Sequence, residues 1–230
     1  MTISVIIPTL NEETVLAQTL AHTEALGFDD IIVVDGGSTD RTVQLAEAYC
    51  MHASTVHIIT APKGRARQMN AGAKASKGDT LLFLHADTQL PGDAGKIIES
   101  ALADPKVKGG RFDVCFDSPS MWGITIGLFM NWRSRLSRIA TGDQAIFVRR
   151  HVFEQLGGFS DIPLMEDIDF SKRLKRAGRI AALRETVTTS FRRWEQQGPL
   201  RTILLMWALR FLYWIGISPR HLNNFYETIR

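Results

Sequence analysis

The chain has 230 residues, 45% of them hydrophobic, with a formal net charge of +3 and a pI near 9.0. That length and apolar content can bury one large core, and they fit one α/β domain better than two. The mild charge gives no footprint for nucleic acid and leaves acidic small molecules or an anionic lipid surface as the partners that basicity permits.

The first elements follow at once. Ile3, Val5, Ile6 and Ile7 run straight into Pro8 as a buried strand would, and no basic region with an apolar stretch and cleavage site precedes them. Strands are predicted over residues 4–7, 31–34, 56–59 and 80–84, with helices over 12–26, 39–52 and 64–75 between them. This order predicts a parallel, doubly wound sheet whose ligand crevice opens at the carboxyl ends of the strands, where Pro8, Asp35 and Asp87 stand. Beyond about residue 105 the alternation weakens. Residues 111–116 and 145–148 read as strands, 165–177 as an amphipathic helix and 199–215 as a strongly apolar helix, all extending the same sheet. Cys50 and Cys115 lie far apart without metal-ligand spacing and read as buried, reduced thiols of a cytoplasmic protein.

Several polar residues carry two readings each. Asp87 follows a buried strand and offers the oxygen chemistry that Mg²⁺ or Mn²⁺ prefers, or simply completes a turn. His85, two residues earlier, would share its face on a strand, to assist a metal or to pack and hydrogen-bond. Asp35, ahead of Gly36-Gly37, can accept from a base imide or a ribose hydroxyl, or cap the next helix. Lys63 to Asn70 places cations at the unfavourable end of a helix dipole, which suits a nearby diphosphate as well as a solvated face. Glu166-Asp167 precede the apolar stripe Ile168, Phe170, Leu174; such acids cap a helix, or divide the work of proton transfer between one that reacts and one that orients.

Two apolar segments concern membranes. Trp122, Phe129 and Trp132 precede Arg133, Arg135 and Arg138, a pattern shared by a core helix with a basic rim and by a surface that meets lipid or a lipid-linked substrate. Residues 203–217 are shorter than the roughly 20 apolar residues a spanning helix needs and carry Arg210 in the middle. They read as a buried packing helix, with peripheral membrane contact through Trp207, Phe211, Leu212 and Trp214 as the sharper alternative. His221 reads as a surface histidine.

Taken as an ordered set over roughly residues 3–180, Pro8-Thr9-Leu10-Asn11-Glu12, Val34-Asp35-Gly36-Gly37-Ser38-Thr39-Asp40, the Asp87 motif and Glu166-Asp167 resemble the family 2 glycosyltransferases of the GT-A fold. The form Leu84-His85-Ala86-Asp87-Thr88 is similar to that of a small bacterial subgroup. The resemblance implies one domain over residues 1–230 with a mostly parallel central sheet, a nucleotide-binding half to about residue 105 and an acceptor-binding half after it. It implies an inverting enzyme that moves a sugar from a nucleotide-diphosphate donor, UDP-sugars first, to an acceptor hydroxyl, a lipid-linked acceptor among the candidates, with no nucleic-acid partner. The expected place is the cytoplasm, including the inner face of the membrane.

Carried over by position, Pro8, Thr9, Glu12 and Asp35 match residues that hold the nucleoside, and Arg67 matches the region that reaches base or phosphate. Asp87 matches the last acid of the D-x-D motif that binds Mn²⁺ or Mg²⁺, and Asp167 matches the catalytic base, with Glu166 beside it. His85 stands where many members have Asp and is a second metal-ligand candidate. Ser190-Phe191-Arg192-Arg193-Trp194 is similar to the Q-x-x-R-W of processive synthases but lacks its Gln, which argues against processive synthesis; Arg193 and Trp194 read as a helix-flanking basic face and a core Trp, with a diphosphate contact and an acceptor contact as the sharper alternative. Thr141-Gly142-Asp143-Gln144 resembles an acceptor-side loop, with Asp143 and Gln144 bonding sugar hydroxyls. Three alternatives compete. A nucleotidyltransferase would need a Gly- and Arg-rich loop after the first strand, and residues 8–13 contain neither. A non-catalytic nucleotide-sugar module would keep Asp35 without needing Asp167, and a membrane-bound synthase subunit would not be soluble without detergent.

Overall fold

The computed structural model describes residues 1–229, with side chains throughout except at positions 225 and 227–229. Strands β1 (Ile3–Thr9), β2 (Asp30–Asp35), β3 (Val56–Thr60) and β4 (Thr80–Phe83) alternate with helices α1 (Leu16–Ala25), α2 (Thr42–Cys50) and α3 (Arg65–Ala75). The four strands pair in parallel in the order β3-β2-β1-β4, as the sequence pattern predicts. Every residue of β2 is buried, the mark of a strand covered on both faces. Odd and even positions divide the core: Val5, Ile7, Ile31 and Val33 pack with Leu16 and Leu20, whereas Ile6, Ile32 and Val34 pack with Met69 and Ala73. Gly72 lets α3 lie directly on the sheet, since a Cβ there would come within 2.5 Å of Ile6 Cγ2.

Helices α1 and α2 start later than their apolar patterns suggest, because residues 11–15 and 38–41 lace the two strand-to-helix junctions together. Asn11, in the left-handed region at φ 57°, donates its N–H to Ser38 Oγ at 2.9 Å and accepts from the Thr39 N–H at 2.8 Å. Glu12 N–H donates to Thr42 Oγ1 at 2.8 Å. Side chains of this type compete with the helix for backbone groups and delay its first turn.

The second half adds β5 (Thr88–Gln89), α4 (Ala94–Leu102), β6 (Val107–Phe116), α5 (Met121–Ser137), β7 (Ile146–Arg149), α6 (Arg150–Gln155), α7 (Glu166–Ala177), β8 (Arg179–Thr189), α8 (Arg192–Gln197), α9 (Pro199–Trp214) and α10 (Pro219–Ile229). The sheet continues across the molecule as β3-β2-β1-β4-β7-β6-β8-β5, with β7 antiparallel to both neighbours and β6 parallel to β8. Strand β8 escapes the sequence pattern because Arg184, Glu185 and Thr186 are exposed and only Val187 and Thr189 are buried, so its apolar alternation is short.

Helix α9 departs from the expected buried packing helix. Only Thr202 and Leu209 are buried in it, while Leu204, Trp207, Phe211 and Trp214 are exposed. Helix α5 behaves in the same way, burying Gly123, Ile126, Gly127 and Ser134 and leaving Trp122, Leu128, Phe129 and Trp132 outside. Phe129 stacks on Trp207 with ring centroids 5.6 Å apart, so the two helices share one aromatic face. Among the described residues no helix is long and apolar enough to cross a membrane.

Candidate functional site

A cleft of about 630 Å³ opens at the carboxyl ends of β1 and β4, within the size range of ordinary small-molecule sites. Pro8, Thr9 and Glu12 form one wall, Lys63, Gly64 and Arg65 at the start of α3 a second, and His85, Asp87 and Asp143 line it as well. Arg192, Arg193 and Trp194 of α8 close the remaining side.

The wall at β1 is held from behind. Gln68 Nε2 donates to the carbonyls of Thr9 at 2.7 Å and Val34 at 2.8 Å, which fixes the two strand ends against each other. Burial raises the Glu12 carboxyl above its ordinary range and the like charge of Asp87 raises it further, against Arg192 and His85. Arg192 Nη2 stands 3.6 Å from Glu12 Oε2, so the α8 segment reaches across the cleft to the first strand.

Two expected donor residues sit elsewhere. Asp35 is buried and accepts from the N–H groups of Gly37 and Ser38 and from Ser38 Oγ; its carboxylate holds its own turn and does not line the cleft. Arg67 points outward and pairs with Asp161 at 2.8 Å. Arg65, two positions earlier and so on nearly the opposite face of α3, lines the cleft instead. Gln144 is likewise withdrawn: it is fully buried, accepts from Thr141 N–H at 3.3 Å and faces the Phe112 carbonyl, so no acceptor can reach it.

His85 and Asp87 both line the cleft, but not as neighbours on one strand face, because β4 ends at Phe83 and the chain turns at residues 86–87. His85 Nδ1 meets Asp143 Oδ1 at 3.1 Å, while its Nε2 is buried beside Gly142 without a polar partner. A Cβ at position 142 would collide with that imidazole, so the glycine is required by the close approach. Burial alone would raise the Asp143 carboxyl; the hydrogen bond and charge of His85, then Arg65 and Arg193, overturn this and hold it at about 2. Among the described residues no cluster of three or more His, Cys, Asp or Glu side chains is arranged to hold a metal. Asp87 remains as one cleft-lining carboxylate, and this fits a hard cation that is completed by substrate phosphates and water. His85, committed to Asp143, does not fit as a second ligand.

Helix α7 brings its two acids in from the far side. Met165 adopts φ 69° at the helix start, a conformation uncommon for a non-glycine residue, and Glu166 and Asp167 form the first turn at the positive end of the dipole. Asp167 Oδ2 accepts from Gly142 N–H at 2.9 Å and Oδ1 from Ile168 N–H at 2.7 Å. Glu166 is buried with Arg65 Nη1 at 3.5 Å. Burial raises its carboxyl, Arg65 opposes this and Asp167 adds to it; Asp167 itself lines a small, mostly apolar recess with Met69, Phe83, Ile146 and Phe159. Pro8, Arg65 and His85 line both that recess and the main cleft. Asp167 therefore stands directly behind the cleft wall.

On the opposite side Trp194 packs parallel to Phe191, centroids 6.2 Å apart, and edge-on to Phe116 at 5.9 Å. Arg193 lies over the Tyr226 ring at 5.4 Å. Arg65, Gln68 and Arg192 also line the cleft; they lie in the stretches 63–70 and 190–194 that the sequence marks, although the motifs point to Arg67 and Arg193.

The chain is similar to known proteins in sequence and in fold. The family model for glycosyl transferase family 2 matches residues 4–157. A probable glycosyltransferase, YdaM, of Bacillus subtilis is 29% identical over 76% of this chain and 47% of its own length. An undecaprenyl-phosphate 4-deoxy-4-formamido-L-arabinose transferase of Pseudomonas paraeruginosa is 33% identical over 60% of this chain and 41% of its own. The chain thus spans under half the length of either relative. Among solved structures, residues 1–349 of Staphylococcus aureus TarS in complex with UDP superpose with a TM-score of 0.67 at 19% identity, covering 83% of this chain and 60% of that one, a likeness of fold.

Proposed function

The chain belongs to glycosyl transferase family 2, and on that premise we propose that it moves a sugar from a nucleoside-diphosphate donor to an acceptor hydroxyl with inversion at the anomeric carbon. A UDP-sugar is the favoured donor, in keeping with the UDP held by the TarS neighbour. The observation that carries the reading is the shared boundary of cleft and recess: Pro8, Arg65 and His85 touch both, so a donor in the cleft presents its reacting carbon toward Asp167.

Asp167 takes the proton of the acceptor hydroxyl, and the oxygen attacks the anomeric carbon as the diphosphate leaves on the opposite side. Gly142 N–H and Ile168 N–H hold the carboxylate in place for this. Arg65 and Arg193 meet the charge of the departing diphosphate, and Arg192 with Glu12 closes the cleft over the nucleoside. A divalent cation, Mn²⁺ or Mg²⁺, held by Asp87, supplies further positive charge to the same phosphates when bound. Trp194 and Asp143 border the acceptor side.

We place the reaction at the inner face of the membrane with a lipid-linked acceptor. The relative named for undecaprenyl phosphate and the exposed aromatic face of α5 and α9 support that placement.

The test is nucleoside-diphosphate release from a panel of sugar donors, with Mn²⁺, Mg²⁺ or EDTA, in the wild type and Asp87→Ala. Metal-dependent release from one donor, lost in the variant, is expected. No release and no thermal shift with any nucleotide would overturn the donor site.

A further inference from the structure

Two cations near Asp167 have no role in the donor site. Arg133 on α5 buries its Nε and Nη2 without a hydrogen-bond partner in the described structure. Arg210 on α9 makes no hydrogen bond or ion pair with another described residue. Burial pulls the Arg133 guanidinium down to about 10, and the like charge of Arg210 adds to the drop. Burial lowers Arg210 as well. The acids that act on both are Asp167 and Asp143, and each already has partners: Asp167 the backbone N–H groups of Gly142 and Ile168, Asp143 the imidazole of His85. Helices α5 and α9, which carry the two arginines, meet through the Phe129–Trp207 stack about one turn away; a guanidinium whose buried nitrogens lack a partner is expensive to maintain, and natural proteins retain such groups where a ligand completes them.

From this arrangement we infer that Arg133 and Arg210 bind a phosphate group carried by the acceptor, apart from the hydroxyl that the acceptor offers to Asp167. The inference rests on the transferase reading for the hydroxyl and deepens it by assigning the acceptor a second, anionic point of attachment. Planar forks of N–H donors match phosphate oxygens in pairs. The surroundings suit a phosphate on an apolar carrier: Trp132 precedes Arg133 directly, Phe211 follows Arg210 directly, and both rings are exposed, at 61% and 58%. A phosphate at the two arginines would leave its apolar chain lying along those rings.

The test uses the full chain without donor. Inorganic phosphate is titrated against thermal unfolding of the wild type, the double variant Arg133→Met/Arg210→Met, the milder Arg210→Gln, and Arg176→Gln, which removes one exposed charge on α7. Phosphate is expected to raise the Tm of the wild type and of Arg176→Gln, to do so less for Arg210→Gln and not at all for the double variant. In phosphate-free buffer the double variant is expected to melt at or above the wild type, because it removes charge that nothing on the chain compensates. An equal phosphate response in all four proteins overturns the site, and so does a loss of Tm in phosphate-free buffer that Arg210→Gln shares.

Vesicle flotation then separates the sources of the phosphate. Selective binding to phosphatidylcholine vesicles that contain phosphatidic acid, absent with phosphatidylcholine alone and lost in the double variant, supports a lipid-borne phosphate; a phosphate response without vesicle selectivity supports a soluble phosphorylated acceptor at the same site. UDP binding to the wild type and the double variant is measured in parallel. Its absence from both sinks the donor reading without touching the phosphate result, and its equality in both keeps the two sites distinct.

Discussion

The two halves of the molecule treat their polar and apolar groups differently. In β1–β4 the polar groups of the junctions answer one another: Asp35 holds its own turn, Asn11 bonds Ser38 and Thr39, Gln68 ties Thr9 to Val34. Its strands β1, β2 and β4 are covered on both faces. In the half built on α5, α7 and α9, Trp132, Trp207 and Trp214 stand in solvent and Arg133 buries its Nε and Nη2 without a hydrogen-bond partner. The first half satisfies most of its junction groups internally, Glu12 Oε2 being left for the cleft. On the proposed function the second half is where an acceptor completes the site, so one scaffold would keep its donor side while the acceptor side follows a different substrate.

Separating the halves by substitution tests this contrast, and the largest effect belongs to Asp167. Asp167→Asn is expected to lower transfer by about 10²- to 10⁴-fold, the usual contribution of a general base, while nucleotide binding in the first half stays near wild type. Single-turnover transfer beside calorimetric nucleotide titration checks it, and equal losses in both would show that the halves are not separable. In the covered half, Leu82→Ala should cost about 2–5 kcal/mol in chemical denaturation, as fully buried leucines do. In the open half, Trp214→Ser, at a position 75% exposed, should stay within about 0.5 kcal/mol of wild type while weakening vesicle binding. A large stability loss at Trp214 would mean that the aromatic face is a core in its own right.

The effect at Asp143 is confined to acid. Its carboxyl titrates at about 2 in the folded protein against an ordinary value of 3.8, so its stabilisation is complete above the ordinary value and disappears as the pH falls toward the folded one. Asp143→Asn should therefore flatten the acid limb of the Tm-against-pH curve in that window. An unchanged limb would remove the His85 pairing from the list of folded-state interactions.

How much was legible in the sequence follows the same division. Strands β1 to β4 and the helices between them were readable because a strand covered on both faces gives an unbroken apolar run and its helices keep a regular stripe. Helix α4 carries a weaker signal of the same kind, with Ala94, Ile98 and Leu102 four residues apart and all buried. Strand β8 offered little, since its middle is exposed and polar. At the site, Asp87 and Asp167 could be named from ordered motifs, and the structure sets them on the cleft and just behind it. Asp143 with His85, and Glu12 with Arg192, join residues 58 and 180 positions apart (143 − 85 and 192 − 12), pairings no local pattern encodes. Arg65 and Arg67 differ only by the phase of α3, which depends on where Gly64 lets the helix begin.

The sheet reaches its last pairing at Thr189, where β8 meets β5 through Thr88 and closes the order of eight strands. Helices α9 and α10 pack with Met165 and Ile168 of α7 in a cluster of their own, separate from the two clusters on the faces of the sheet. Everything after Thr189 is thus appended to a finished ladder. Insertions, exchanges or fusions in that stretch leave every strand pairing intact, so this is the part of the architecture that recombination can rewrite without refounding the fold.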